Sequence, residues 1–128
     1  MATHRAPMAL ALSLLIVLVA SVPAEAAKLR RGLYDCNGTE DSYVASVKIK
    51  DGGKYLYANA RKGSRLKNPS KGRYSVSGKK IKWLSGTFKR SGYVSTIYVT
   101  PSSPKGYFSL DRKSNGTWTG ISCYWRAG

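Results

Sequence analysis

The chain has few of the residues that enzymes use for chemistry. It contains one histidine, His4, and only six acidic residues against 22 lysines and arginines. Because His4 falls in a segment that we expect to be removed, the mature chain is left without Ser-His-Asp catalysis, Cys-His catalysis or a histidine-ligated metal. Five carboxylates remain beyond that segment, namely Asp35, Glu40, Asp41, Asp51 and Asp111. Each fits a turn or strand position, so we expect no catalytic residues, no metal, no cofactor and no enzymatic activity.

Long apolar runs are also scarce, and the one present lies at the N-terminus. Met8 to Val22 is apolar and is followed by the small-x-small pattern Ala24-Glu25-Ala26. A membrane span needs about 20 residues, so this layout predicts a secretory signal peptide over residues 1–26. The alternative is an uncleaved anchor helix. We expect a secreted or periplasmic protein with a flexible basic leader at 27–31, one β domain at 32–128 and no further transmembrane segment.

Only two cysteines are present, Cys36 and Cys123, near the two ends of the expected domain. In an exported chain such a pair predicts one disulfide. The long segment that it would close suggests a contribution of about 4.5 kcal/mol. Two free thiols or a metal site are the alternatives, but two cysteines without a histidine make a poor zinc site.

No stretch after the signal peptide has the pattern of a long amphipathic helix, and strand patterns take its place. In Gly72 to Gly86, apolar and polar residues alternate on both sides of Ser77-Gly78-Lys79. This predicts a hairpin with Tyr74, Val76, Ile81 and Trp83 inside and with Arg73, Lys80 and Lys82 facing water. Alternation from Tyr43 to Asn59 around Asp51-Gly52-Gly53 predicts a second hairpin, and Asn115-Gly116 predicts a third.

These patterns predict an all-β fold, a small antiparallel meander closed as a barrel of about eight strands. A β-sandwich is the alternative. Within this scheme Thr87 to Arg90 is expected to begin a short strand, Tyr93 to Thr100 to be a β-branched strand, and Asn59 to Gly72 to be irregular. Closure would leave no unpaired strand edges, and the disulfide would join the first strand to the last.

Positive charge is abundant and unevenly distributed. The formal net charge is +16, and most of the basic residues lie between Lys50 and Arg90, where Asp51 is the only acid. An anionic partner is therefore expected. The candidate polyanion-binding residues are Arg61, Lys62, Arg65, Lys67, Lys71, Arg73, Lys79, Lys80 and Lys82. Tyr55, Tyr57, Tyr74 and Trp83 lie among them, and their spacing places them in the core rather than on a base-stacking surface.

Glycine, tyrosine and tryptophan positions carry a resemblance to known proteins. The pattern comprises Gly32-x-Tyr34-x-Cys36, Gly53-x-Tyr55, Gly72-x-Tyr74, Ile81-x-Trp83-x-Ser85-Gly86 and a late cysteine. It resembles a group of small exported bacterial proteins of uncharacterised function. The Tyr-x-Cys start is also similar to that of periplasmic lysozyme inhibitors, which are small disulfide-closed barrels, although their inhibitory loop pattern has no counterpart here.

Two functions from different classes fit these observations. The first is a secreted, non-enzymatic and monomeric binding protein that contacts an anionic polymer, a membrane or a cell-wall surface through its basic face. Nucleic acid ranks behind these partners because an exported protein meets little of it. The second is an inhibitor or effector barrel that fills an acidic cleft of a secreted enzyme with a cationic loop. A barrel carrying a small apolar ligand is a third reading, for which the sequence offers no pocket.

Overall fold

The computed structural model describes residues 28–128, which form a closed antiparallel β-barrel. The signal peptide expected at 1–26 lies outside the described residues. Ten strands, one 3-10 turn and one short helix follow one another along the chain. They are β1 (Gly32–Asn37), the 3-10 turn (Thr39–Asp41), β2 (Tyr43–Lys50), β3 (Lys54–Ala58), β4 (Arg61–Lys62), β5 (Arg65–Leu66), β6 (Ser70–Ser77), β7 (Lys80–Trp83), α1 (Thr87–Arg90), β8 (Ser95–Thr100), β9 (Ser103–Ser114) and β10 (Thr117–Ala127).

Eight of these strands close the barrel in the order β1-β10-β9-β8-β7-β6-β3-β2, and β4 pairs only with β5. The arrangement confirms the all-β barrel and excludes the sandwich. Neighbouring barrel strands run antiparallel, so the connections alternate between two ends. We call the end with the 51–53 turn the upper end and the end with the 59–69 loop the lower end.

The register of two hairpins agrees with the alternation in the sequence. Tyr74 pairs with Trp83, and Val76 pairs with Ile81, so both pairs face the barrel interior. Val76 is nevertheless 40% exposed, because β6 continues past β3 and the hairpin rises above the upper end. Asn115 and Gly116 have φ of 51° and 80°, as required at both central positions of a type I′ turn.

One expected strand is wrong. Thr87–Arg90 forms the short helix α1, and β8 begins only at Ser95, although Val94 forms an isolated bridge to Asp111. Tertiary packing overrides the local pattern here. The ring of Phe88 stacks on Tyr55 at 5.0 Å between centroids, and the Phe88 N–H donates to the Tyr55 hydroxyl at 3.1 Å. The helix therefore places Phe88 in the barrel core at the lower end.

Part of the stretch expected to be irregular is ordered by pairing. Arg61 and Lys62 pair with Leu66 and Arg65, which makes the small β4–β5 hairpin inside the loop between β3 and β6.

Aromatic and aliphatic side chains fill the barrel, as the sequence predicts. The largest fully buried side chains include Tyr34, Tyr55, Phe88 and Phe108. Cys36 and Cys123 form the expected disulfide between β1 and β10, closing a separation of 87 residues, and both are fully buried. A covalent link therefore joins the first and last strands of the sheet where the barrel closes.

The residues of the expected basic leader contact the upper end of the barrel. Leu29 packs against the core, the Arg30 carbonyl accepts a hydrogen bond from the Tyr34 hydroxyl, and the Arg31 carbonyl accepts one from the Trp125 indole. Over residues 28–128, the structure contains no helix with the length and apolar character that a membrane crossing requires.

Candidate anion-binding surface

The nine candidate cations lie in three separate places. Lys71, Arg73, Lys80 and Lys82 lie on the outer face of β6 and β7, and Lys79 lies in the turn between these strands. Lys62, Arg65 and Lys67 are exposed in the loop at the lower end. Arg61 differs from the others because its guanidinium contacts the buried carboxylate of Asp35.

The outward direction of the first group follows from strand alternation. Tyr74 and Trp83 turn inward, so the neighbouring Arg73 and Lys82 turn outward and are exposed. Lys80 and Lys82 lie two positions apart on β7, and Lys71 and Arg73 two positions apart on β6. The sheet therefore presents both pairs on one surface.

Two further lysines join this surface, and sequence reasoning did not place them in the site. Lys54 pairs directly with Arg73 across β3 and β6, and Lys50 pairs with Lys54 across β2 and β3. Directly opposed residues in an antiparallel pair lie about 5 Å apart on one face. The signal that finds them is the strand register, which local alternation does not supply. We define the cationic wall as Lys50, Lys54, Lys71, Arg73, Lys80 and Lys82.

Carboxylates are absent from the strands that carry the wall. Among the residues described, β2, β3, β6 and β7 contain no acidic side chain. The nearest in sequence, Asp51, lies in the turn between Lys50 and Lys54 and pairs with Arg31 at 2.5 Å. Like charges therefore accumulate on adjacent strands without neutralisation inside the sheet.

A shallow groove of about 390 Å³ crosses the wall between β2, β3 and β6. Lys50, Lys54, Lys71 and Arg73 line it, with Leu56 and Ser85 between them. Gly72 of β6 lies between Lys71 and Arg73 in this lining, and a Cβ there would come within 2.3 Å of the Tyr55 ring and 2.6 Å of the Ser85 carbonyl oxygen. Glycine is therefore required for β6 to lie close over Tyr55 and to carry cations on both sides.

Arg61 has a structural partner and is removed from the proposed site. Its Nε and Nη2 atoms donate to the two oxygens of Asp35 at 2.8 and 2.6 Å, and Ser46 donates to the same carboxylate at 2.7 Å. Arg126 adds a contact at 3.3 Å. Burial by itself would raise the pKa of Asp35, but the hydrogen bonds from Arg61 and Ser46 and the charges of Arg61 and Arg126 lower it overall.

This ion pair holds the β4–β5 hairpin against the outside of the barrel. Asp35 points outward from β1, because its neighbours Tyr34 and Cys36 belong to the core, yet it is only 4% exposed. The Arg61 side chain covers it and also donates to the Gly63 carbonyl at 2.5 Å. The hairpin therefore presents Lys62 and Arg65 from a fixed base.

The aromatic residues of the basic tract belong to the core, as the sequence predicts. Tyr55 and Trp83 are almost fully buried, and Tyr57 and Tyr74 pack partly buried against them. A partly exposed aromatic row lies elsewhere, on β8, β9 and β10, where Tyr98, Tyr107 and Tyr124 follow one another at 5.0 and 4.8 Å between centroids. These rings cover one another's faces, so they stabilise the sheet rather than offer a flat surface to a ligand.

Among residues 28–128, no three histidine, cysteine or acidic side chains are grouped closely enough to hold a metal ion. No family model, curated protein or solved structure matches the chain. Geometry and charge are therefore the basis for the functional proposal.

Proposed function

We propose that this protein is a secreted, non-enzymatic binding protein that docks onto an anionic polymer through the cationic wall. The observation that carries the proposal is the register of Lys50, Lys54 and Arg73, which aligns three cations across three adjacent strands. Lys71, Lys80 and Lys82 extend the row along β6 and β7. Cations brought together at this spacing repel one another, and a multiply charged ligand removes that repulsion.

A polymer or a charged surface suits the wall better than a single small anion. The cations extend over four strands, and four of them line the shallow groove, so each contributes a separate contact to a long partner. Contacts of this type release counter-ions and weaken steeply as salt rises. Acidic polysaccharides, teichoic acids and lipopolysaccharide have this repeated charge. Single-stranded nucleic acid fits less well because the aromatic side chains of β3, β6 and β7 turn inward.

The test is retention on heparin and on an anionic cell-wall polymer at graded salt. We expect the wall variant Lys54→Gln/Lys71→Gln/Arg73→Gln to elute at clearly lower salt than the parent protein, because it loses three cationic contacts on adjacent strands. The matched control is Lys62→Gln/Arg65→Gln/Lys67→Gln, which changes net charge equally at the lower end. Equal losses in the two variants would contradict a localised wall, and retention independent of salt would contradict polyanion binding.

A second function is favoured by the β4–β5 hairpin. Because Arg61 fixes its base, Lys62, Arg65 and Lys67 form a compact cationic projection suited to the acidic cleft of a secreted enzyme. Capture of envelope proteins by the parent protein and by both triple variants separates the two functions. If only the variant Lys62→Gln/Arg65→Gln/Lys67→Gln fails to capture an enzyme, the inhibitor or effector is favoured. If only the wall variant shows weaker retention on the anionic polymer, the binding protein is favoured.

A further inference from the structure

The barrel wall has an opening between β7 and β8. The two strands pair only through Lys80 with Thr96 and Ile81 with Ser95. Beyond these pairs the chain has left the sheet to form α1, and it returns along a different path. The Tyr93 N–H donates to the Phe88 carbonyl at 3.1 Å, and Val94 exchanges hydrogen bonds of 2.8 and 2.9 Å with Asp111 of β9.

This path leaves the last part of β7 facing a cleft instead of a strand. The Leu84 N–H donates to the Arg73 carbonyl of β6 at 2.8 Å, so the alternation along β7 turns the backbone N–H and C=O of Trp83 the other way. Ile81 meets Ser95 on that side, whereas Trp83 meets the cleft. The cleft has a volume of about 560 Å³, within the range of roughly 300–1,000 Å³ typical of small-molecule sites.

Cations surround the opening. Lys80, Lys82 and Lys89 line it together with Trp83, Tyr93 and Ser95, and the lining contains no carboxylate. Lys80 donates to Thr96 at 3.0 Å, and the Trp83 indole N–H donates to Ser95 at 2.9 Å. Arg112 lies behind Tyr93, 5.3 Å from the centre of its ring, and adds a fourth positive charge. In the described part of the chain, no ion pair involves Lys82 or Lys89.

We infer that this cleft binds one acidic sugar unit, a ring bearing a carboxylate, of the polymer that docks on the cationic wall. The inference rests on the proposed function and names the unit that is recognised. Lys82 and Lys89 would bind the carboxylate together with the backbone N–H of Trp83, and the backbone carbonyl of Trp83 would bind a ring hydroxyl. Lys80 and Lys82 belong to both wall and cleft, so the polymer continues from one into the other.

The other occupants fit the cleft less well. A peptide adding as a strand needs a longer open edge, and only Trp83 offers its backbone between Ile81 and Leu84. An apolar ligand would leave three lysines next to it without a counter-charge. A sugar ring with a carboxylate supplies both the charge and the hydroxyl groups that the lining can bind.

The experiment is a titration of the ¹⁵N-labelled protein with digalacturonic acid, followed by amide chemical shifts. We expect saturable shifts at Trp83, Tyr93 and Ser95, and a dissociation constant about tenfold weaker in Lys82→Gln/Lys89→Gln, because two charge-assisted contacts are lost. The control Lys105→Gln/Lys113→Gln changes net charge equally outside the cleft and should bind like the parent. Should the double variant fail to fold, Lys89→Gln alone, at an exposed position on α1, tests the same contact.

Three results would overturn the inference. Digalacturonate shifts confined to Lys50, Lys54 and Arg73, with polygalacturonate still bound, would exclude the cleft and leave the proposed function standing. Equal shifts with neutral cellobiose would show that the carboxylate is not recognised. Failure of polygalacturonate, heparin and the cell-wall polymer to bind would remove the proposed function and the inference together.

Discussion

At the scale of single residues, Asp35 is the carboxylate with the largest number of side-chain contacts among the described residues. It is one of few carboxylates in a strongly basic chain, and it is nearly buried on the outside of the barrel. Arg61, Ser46 and Arg126 satisfy it, and their contacts lower its pKa despite the opposing effect of burial. Arg61 is affected in the complementary direction, since its hydrogen bonds to Asp35 raise its pKa.

This pKa shift predicts how stability depends on pH. A carboxylate whose pKa is lower in the folded state stabilises the fold above its unfolded pKa of about 3.9, and the contribution is lost as pH falls through the folded value. We expect Asp35→Asn to reduce the free energy of unfolding at pH 7 by about 2 kcal/mol. Below about pH 4, the free energy of unfolding of the variant should decrease less with falling pH than that of the parent protein. Urea denaturation between pH 2 and pH 7 measures both effects.

Asp51→Asn is the matched control for this prediction. Asp51 pairs with Arg31, but both side chains are mostly exposed, at 78% and 68%. Pairs of this kind contribute about 0–1 kcal/mol, so the variant should resemble the parent protein. A loss as large as that of Asp35→Asn would show that burial of the carboxylate is not the cause.

At the scale of elements, α1 decides the shape of the proposed sugar site. Gly86, with φ of 86°, turns the chain out of β7, and its missing Cβ would otherwise lie within 2.8 Å of the Tyr55 hydroxyl, the Lys71 carbonyl oxygen and the Gly72 Cα. Phe88 then enters the core, 4.7 Å from the Trp83 ring centroid. The helix thereby fills the lower end and keeps β8 away from the end of β7.

Removal of the Phe88 ring should destabilise the protein strongly. We expect Phe88→Ala to lower the free energy of unfolding by about 3–5 kcal/mol, because Phe88 is 1% exposed and contacts Tyr55, Tyr57 and Trp83. Leu84→Ala, at a position 45% exposed, is the control and should change stability little. Thermal and urea unfolding measure both variants. Equal losses in the free energy of unfolding would show that burial of Phe88 does not hold this segment in place.

At the scale of the whole molecule, repulsion between positive charges opposes folding, and the disulfide that joins the first and last strands of the barrel favours it. The chain has a net charge of +16, and the described residues contain three ion pairs, of which two share Asp35. Self-repulsion opposes the compact state. The disulfide across the β1–β10 junction opposes unfolding by restricting the unfolded chain.

Removal of the disulfide should therefore make folding depend on salt. We expect Cys36→Ala/Cys123→Ala to lose about 4–5 kcal/mol, a large share of the roughly 5–15 kcal/mol typical of a domain. Its melting temperature should rise as NaCl increases from about 20 to about 200 mM, since screening weakens repulsion between the lysines. Sucrose at equal osmolality is the uncharged control. A melting temperature unaffected by salt would show that charge repulsion does not limit this fold.

Local sequence determined the class of fold and much of its hairpin register, because alternation and turn residues act over a few positions. The hairpin that turns Tyr74 and Trp83 inward, the Asn115-Gly116 turn and the Cys36–Cys123 pair are all confirmed. The outward direction of Arg73, Lys80 and Lys82 is confirmed for the same reason. The signal peptide, the secreted location and the anionic partner remain predictions.

Only tertiary structure decided which distant residues meet. The pairing of Lys54 with Arg73 and of Arg61 with Asp35 depends on strand order and on a loop folding back, neither of which leaves a local pattern. Phe88 likewise takes a helical turn against its expected strand because the core offers it Tyr55 and Trp83. The sequence therefore showed the excess of positive charge, whereas the wall and the cleft depend on strand order and on the path of α1, which set the neighbours of each cation.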